Sequence, residues 1–457
     1  MPGTLANDDR TRDQPVDRLP RYILVLLASL STFSIGTYLA WSSSALSILG
    51  KIEGLTISKQ EASWICALVP LGATVGSLPA RIIADKIGPR KSILLSSLLL
   101  SSCWFVIGFA RSKLWISLSR VAAGAACGAS SILVPTYVSE IADEAIRESL
   151  WTILQLQIAF GVLFAYATGF SDSLLVMAIL CAFVPGFLTI ASQLIPESSV
   201  WLIAQDRRGE ADAIAKRFGG RLCLNEEETR RWQTGNVSDL RNHGRATIIA
   251  LGLTMFQQLS GVNAVTSYAR RIFEHVGFPL SSIISALILG LTYVIATLLS
   301  TTVVDRVGRK LSLFLGMSIM SVCMFVLSGY FRLQKTHEML SFSWLPFFCL
   351  VIFIGAYSVG CGQIPWIIVD KIFPNDVRWT AITACVICYW TSATVATKCF
   401  QDMVDFMGMS STFATYGMVS LIGISFVAIL VPETEGKSVE ELQIEMHETQ
   451  RDYVTCI

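Results

Sequence analysis

Apolar runs of about twenty residues recur along this chain, and no other feature limits its fold so tightly. A stretch of that length matches the thickness of a bilayer core when it is helical. Twelve such stretches lie near 22–42, 62–83, 92–110, 114–139, 148–170, 174–195, 246–269, 281–304, 311–329, 345–369, 379–401 and 411–431. In lipid each backbone N–H and C=O must be satisfied inside the protein, so helices are expected throughout. The 457 residues are 53% hydrophobic and only 15% charged, too little charge to coat a water-soluble domain of this size. A net charge of +1 offers no field for nucleic acid. The fold class is therefore all-α membrane protein.

The first 21 residues are polar and carry both signs, which does not describe a signal peptide. Most of the 35 Lys and Arg residues fall on the side of the N-terminus, including Arg207, Arg208, Lys216, Arg230 and Arg231 of one long loop. By the positive-inside rule both termini are expected in the cytoplasm. The organisation expected is a tail over 1–21, a six-helix bundle over 22–195 and a cytoplasmic linker with short helices over 196–245. A second six-helix bundle follows over 246–432, with a tail over 433–457. The sequon Asn236-Val237-Ser238 falls in the inner linker and is expected to stay unglycosylated.

The two halves echo each other. Asp85-Lys86-Ile87-Gly88-Pro89-Arg90-Lys91 follows the second span and Asp305-Arg306-Val307-Gly308-Arg309-Lys310 the eighth. Pro196-Glu197-Ser198 follows the sixth and Pro432-Glu433-Thr434 the twelfth, while Arg147 follows the fourth and Arg378 the tenth. Matched signals in one order imply parallel repeats about an axis along the membrane normal, with a substrate at mid-depth between them. Asp85 and Asp305 stand where a carboxylate would cap the next helix and pair with a guanidinium.

Gln257-Gln258-Leu259-Ser260-Gly261-Val262-Asn263 opens the seventh span. Its amides offer donors and acceptors suited to neutral hydroxyls, although polar contacts between helices use the same groups. On a continuous helix residues 257 and 261 share a face, as do 259 and 263. Glycines and a proline interrupt Gly360-Cys361-Gly362-Gln363-Ile364-Pro365-Trp366.

With these motifs the chain resembles the sugar porters of the major facilitator superfamily, most closely the branch of facilitated trehalose transporters, over about residues 22–443. The resemblance implies twelve transmembrane helices in two pseudo-symmetric six-helix bundles and a location in the plasma membrane. It implies a substrate site made of Gln155, Gln257, Gln258, Asn263, Trp366 and Trp390. It also implies a gating network of Asp85, Arg90, Glu140, Arg147, Glu197, Asp305, Arg309, Asp370, Lys371, Arg378 and Glu433. Pro135-Thr136-Tyr137-Val138-Ser139-Glu140-Ile141 and Val431-Pro432-Glu433-Thr434-Glu435-Gly436-Lys437 match its exit and C-terminal motifs. The partners implied are a small neutral sugar and the lipid bilayer, with one chain sufficient for transport and no nucleic acid.

Several positions depart from the family pattern. Arg81, Pro89, Glu148 and Val200 replace residues common at the gates. Lys371 occupies the place of a glutamate, and Asp370, one step earlier, lies about 100° round the helix. Ser267, Tyr293 and Tyr389 stand where tyrosine, asparagine and asparagine are common. Ser34, in Phe33-Ser34-Ile35-Gly36, replaces the acid of proton symporters, and none of the 34 acidic residues falls mid-span. A facilitative uniporter of trehalose or a hexose is expected, with a transport-impaired paralogue acting as a sugar sensor as the alternative. An enzyme is not expected: the 4 histidines His243, His275, His337 and His447 lie in loops or near the tail. The 12 cysteines show no metal-ligand spacing, Cys385 and Cys388 included, so no metal or other cofactor is implied.

Overall fold

The computed structural model describes residues 19–50, 57–141, 144–218, 239–276, 278–334, 342–374, 377–437 and 441–442. The sequon, His337, His447, most of the N-terminal tail and most of the C-terminal tail lie outside them. Among the described residues eleven helices are long and apolar enough to cross a membrane, and the last of these is two spans in one. Arg378–Leu430 breaks at Gly408, whose backbone turns to φ 82° and ψ 165°. The twelve spans are thus Leu19–Leu49, Lys59–Ile87, Pro89–Phe109, Lys113–Ile141, Glu144–Thr168, Leu174–Ala191, Gly244–Val276, Ser282–Val307, Arg309–Gln334, Trp344–Ile372, 378–407 and 409–430.

Polar residues inside the spans satisfy themselves locally. Ser77, Ser97 and Thr136 donate to the carbonyls four residues back, at 2.7, 2.8 and 2.7 Å. Large apolar side chains such as Leu98, Phe105, Ile190, Leu298 and Val322 face outward, where a bilayer rather than water covers them.

The halves follow one plan. Gly88 and Gly308 end the second and eighth spans at φ 94° and 89°, each opening directly into the next helix. Across the seam the second span packs on the eleventh and the eighth on the fifth, the pairing that a shift of six helices produces, while the first packs on the seventh. Within the first half Gly36 and Gly161 let the first and fifth spans touch backbone to backbone; a Cβ on Gly36 would lie 2.1 Å from the Ile158 carbonyl oxygen.

Two spans depart from continuous helices. The seventh is Gly244–Leu259 followed by Val262–Val276, broken at Gly261 with φ +92° beneath the Tyr416 ring. The face shared by residues 257 and 261, and by 259 and 263, therefore does not exist, because the periodicity restarts after the break. The tenth is Trp344–Ala356, a π-helical turn at Tyr357–Gly362, and Ile364–Ile372. Between the halves, Ser199–Ala204 and Arg208–Phe218 form short helices on one side of the molecule, called here the linker side.

Candidate substrate site and gates

The seam brings together Gln155, Trp366 and Trp390. They line a cavity of about 550 Å³ with Thr32, Ile35, Ser131, Trp151 and Tyr389, and no charged side chain is among its walls. The Trp366 indole stacks on Trp151 of the other half, centroids 5.5 Å apart and planes 16° from parallel. It also meets Tyr389 at 5.5 Å. Trp390 Nε1 donates to Ser131 Oγ across the seam at 3.3 Å. Gln155 Nε2 donates to the Tyr293 hydroxyl of the second half at 2.6 Å.

The amides of the seventh span lie apart from this cavity's walls. Gln257 Nε2 donates to the Cys361 and Gly362 carbonyls at 2.7 and 2.9 Å and to the Tyr357 hydroxyl at 3.3 Å. The π-helical turn frees those carbonyls from regular helix bonding, which explains why an amide is drawn there. Asn263 Nδ2 donates to Gln258 Oε1 at 2.6 Å, bridging the break at Gly261. Gln257 is 1% exposed, and its Oε1 has no hydrogen-bond donor among the described residues.

On the linker side the helix starts are capped differently from the expectation for Asp85 and Asp305. Glu197 Oε1 accepts from the Arg90 backbone N–H at 3.0 Å, and Glu433 Oε2 accepts from that of Lys310 at 3.2 Å. The third and ninth spans are thus capped by carboxylates that follow the sixth and the twelfth. Asp85 and Asp305 precede Gly88 and Gly308, sit on the last turn of the preceding helix and do not supply these caps. A Cβ on Gly88 would lie 2.7 Å from Glu197 Oε2, so the carboxylate reaches the helix start because no side chain stands there. Burial pushes the Glu197 carboxyl up from the usual range, opposed by these backbone bonds and by the Arg90 charge.

The Arg90 guanidinium donates to the Ser192 and Gln193 carbonyls at 3.0 and 3.1 Å, and Arg309 Nη1 donates to Thr434 Oγ1 at 3.4 Å. Glu140 accepts from the Ser198 hydroxyl. Asp370 turns to Arg378, with Oδ1 4.0 Å from Nε, and Lys371 is half-buried beside it. Arg147 lies in the fifth span, but its side chain is outside the described residues. Pro89 and Val200 wall a second cavity on this side, of about 640 Å³, between Asp85, Glu140 and Trp379.

Residues not expected from the sequence close the opposite, far side. Lys59 pairs with Asp405 at 3.1 Å, and Gln60 Nε2 donates to Asp402 Oδ1 at 2.9 Å. Lys398 Nζ donates to Asp402 Oδ2 at 2.6 Å and lies 5.1 Å from the Trp64 ring centroid. Nearby, Ser267 Oγ donates to the Leu39 carbonyl at 3.3 Å, and Tyr166 donates to the Thr266 carbonyl at 2.8 Å. The i,i+4 spacing of Lys398 and Asp402 at a span's end was the available sequence signal. For Trp151 it was the position one turn before Gln155.

Parallel six-helix halves about a seam whose cavity is uncharged and aromatic define a multi-span membrane protein of the major facilitator superfamily fold. The chain belongs to the Sugar (and other) transporter family, whose model matches residues 24–446. It is 29% identical over 453 residues to the facilitated trehalose transporter Tret1 of Drosophila virilis, covering 96% of this chain and 50% of that protein. It is likewise 29% identical to Tret1 of Bombyx mori, covering 92% of this chain and 85% of that one. The chain spans about half the length of the Drosophila relatives it matches. Among solved structures, the partially occluded inward-open xylose transporter XylE from E. coli superposes with a TM-score of 0.76 at 22% identity, covering 92% of this chain and 99% of that one. XylE bound to 6-bromo-6-deoxy-D-glucose gives 0.73 at 21% identity, covering 93% and 99%.

Proposed function

We propose that the protein is a facilitative sugar carrier, a uniporter for trehalose or a hexose, working by alternating access. The carrying observation is the uncharged cavity on the seam, where the Gln155 amide of the first half shares the walls with the indoles of Trp366 and Trp390 of the second, while the amides of Gln257, Gln258 and Asn263 stay buried apart from those walls. Amides match hydroxyls as both donor and acceptor, and indoles cover the apolar face of a sugar ring. Gln257 Oε1, buried without a donor, offers an acceptor to a hydroxyl when the seam opens.

Passive transport is supported by the first half. Arg120, 1% exposed, donates to the Ile65 carbonyl and to Ser42 Oγ at 2.5 and 2.8 Å and lies 4.9 Å from the Trp41 ring centroid. None of these partners is a carboxylate, and Ser34 Oγ points back to the Leu30 carbonyl at 3.5 Å. Among the described residues no acid is thereby placed beside Arg120 or at Ser34 to carry a proton with the solute. The positive-inside rule, applied to the basic residues of the linker, supports a reading with the linker and both termini on the cytoplasmic side of the plasma membrane.

Purified protein in liposomes, offered radiolabelled trehalose, glucose and fructose, tests this reading. Uptake is expected to equilibrate and to ignore a protonophore. Accumulation above equilibrium that the protonophore abolishes would reject uniport. Absence of flux in the native protein, with flux restored in Lys371→Glu, would favour the sensor alternative.

A further inference from the structure

The seam holds one bond that the carrier reading does not require. Gln155, in the fifth span of the first half, is 7% exposed, and Tyr293, in the eighth span of the second, is 5% exposed. The Tyr293 hydroxyl accepts from Gln155 Nε2 at 2.6 Å. Local packing is fitted to that contact. Gly290, one turn before Tyr293, lets the eighth span press on the fifth, since a Cβ there would lie 3.0 Å from the Leu163 Cα. A Cβ on Gly362 would lie 3.2 Å from Gln155 Nε2 itself. The Tyr293 ring meets Tyr357 of the π-helical turn edge-on, centroids 6.0 Å apart at 77°.

An amide closed into a seam without a partner loses its hydration and gains nothing in return. A carrier that moves solute passively must also close and return empty, and on that leg no sugar hydroxyl covers Gln155. Asparagine, common at this position in the family that the chain resembles, has a shorter side chain than tyrosine. We propose that Tyr293 is a positioning residue whose hydroxyl stands in for a sugar hydroxyl on Gln155, allowing the empty carrier to close and reorient. The inference rests on the carrier reading. It adds that Tyr293 and the solute compete for one amide, so that the empty and loaded carriers close on alternative partners.

The test compares two fluxes in liposomes, using whichever of radiolabelled trehalose, glucose and fructose the native protein carries. Net efflux into sugar-free medium requires the empty return, whereas exchange with the same sugar on both sides bypasses it. In Tyr293→Phe, which keeps the ring and removes the hydroxyl, the ratio of exchange to net efflux is expected to rise roughly three- to tenfold, the worth of one buried hydrogen bond. A merely structural defect lowers both fluxes together and leaves the ratio alone. A second measurement needs no sugar. Cys361, 1% exposed beside Tyr357 and Gln257, is expected to react faster with N-ethylmaleimide in sugar-free Tyr293→Phe than in the native protein, read by peptide mass spectrometry. An unchanged flux ratio overturns the proposal and leaves the carrier reading standing. A native protein that carries none of the three sugars removes both.

Discussion

At the far end of the seam Lys59, Gln60, Lys398, Asp402 and Asp405 join the halves through charged and amide groups, whereas toward the linker the halves meet through the stacked indoles of Trp151 and Trp366. The polar clasp is partly wet: Lys59 is 72% exposed and Asp402 40%, although Lys398 is only 15%. Ion pairs in such surroundings contribute little individually and weaken as salt rises. The indole pair is drier and gains from area and ring geometry, neither of which responds to ionic strength. One end of the molecule is therefore tunable by its bath, and the other is set by shape.

Four perturbations break or sharpen that contrast. The largest effect is expected from Trp366→Ala. Truncating a buried Trp to Ala costs roughly 3–5 kcal/mol; Trp366 is half-buried, so a loss of about 2 kcal/mol is expected, seen as a lower thermal midpoint in detergent. Distances between spin labels on the linker-side ends of the two halves should lengthen as well, and unchanged distances would show that the indole pair does not hold that end. Asp402→Asn comes next. It removes the charge that Lys398 and Gln60 share, and should move the population toward far-side opening about three- to fivefold. The smallest effect is expected from raising salt to about 0.5 M, which should loosen the far end slightly and leave Trp366→Ala and native linker-side distances alone. Lys59→Met should do no more than salt does.

Much of this architecture was legible before any coordinates. Apolar run length locates the spans because lipid leaves the backbone no other choice, and the paired turns at Asp85 and Asp305 announce the repeat. Gly261 shows where such reading stops. A helical wheel drawn through Gln257 and Asn263 assumes a continuous helix, but one glycine at positive φ resets the periodicity. Glu197 and Glu433 show a second limit. Proximity in sequence favoured Asp85 and Asp305 as caps, while the true caps arrive from the far ends of the six-helix units, a contact that only tertiary packing reveals. The closure at Lys59 and Asp405 was hidden for the same reason: its partners come from different halves. Gln155, Trp366 and Trp390 were assigned to the substrate site through the family resemblance and not by residue type alone, and the tyrosine that engages Gln155 registered only as a departure from the family pattern.

The carboxylate caps have a mechanical consequence. Glu197 fastens the point where the chain leaves the first half to the start of the third span, and Glu433 does the same for the second half. Each half is cinched like a drawstring where the chain exits. A pull on the linker is then borne by the whole first half and does not peel away its last helix.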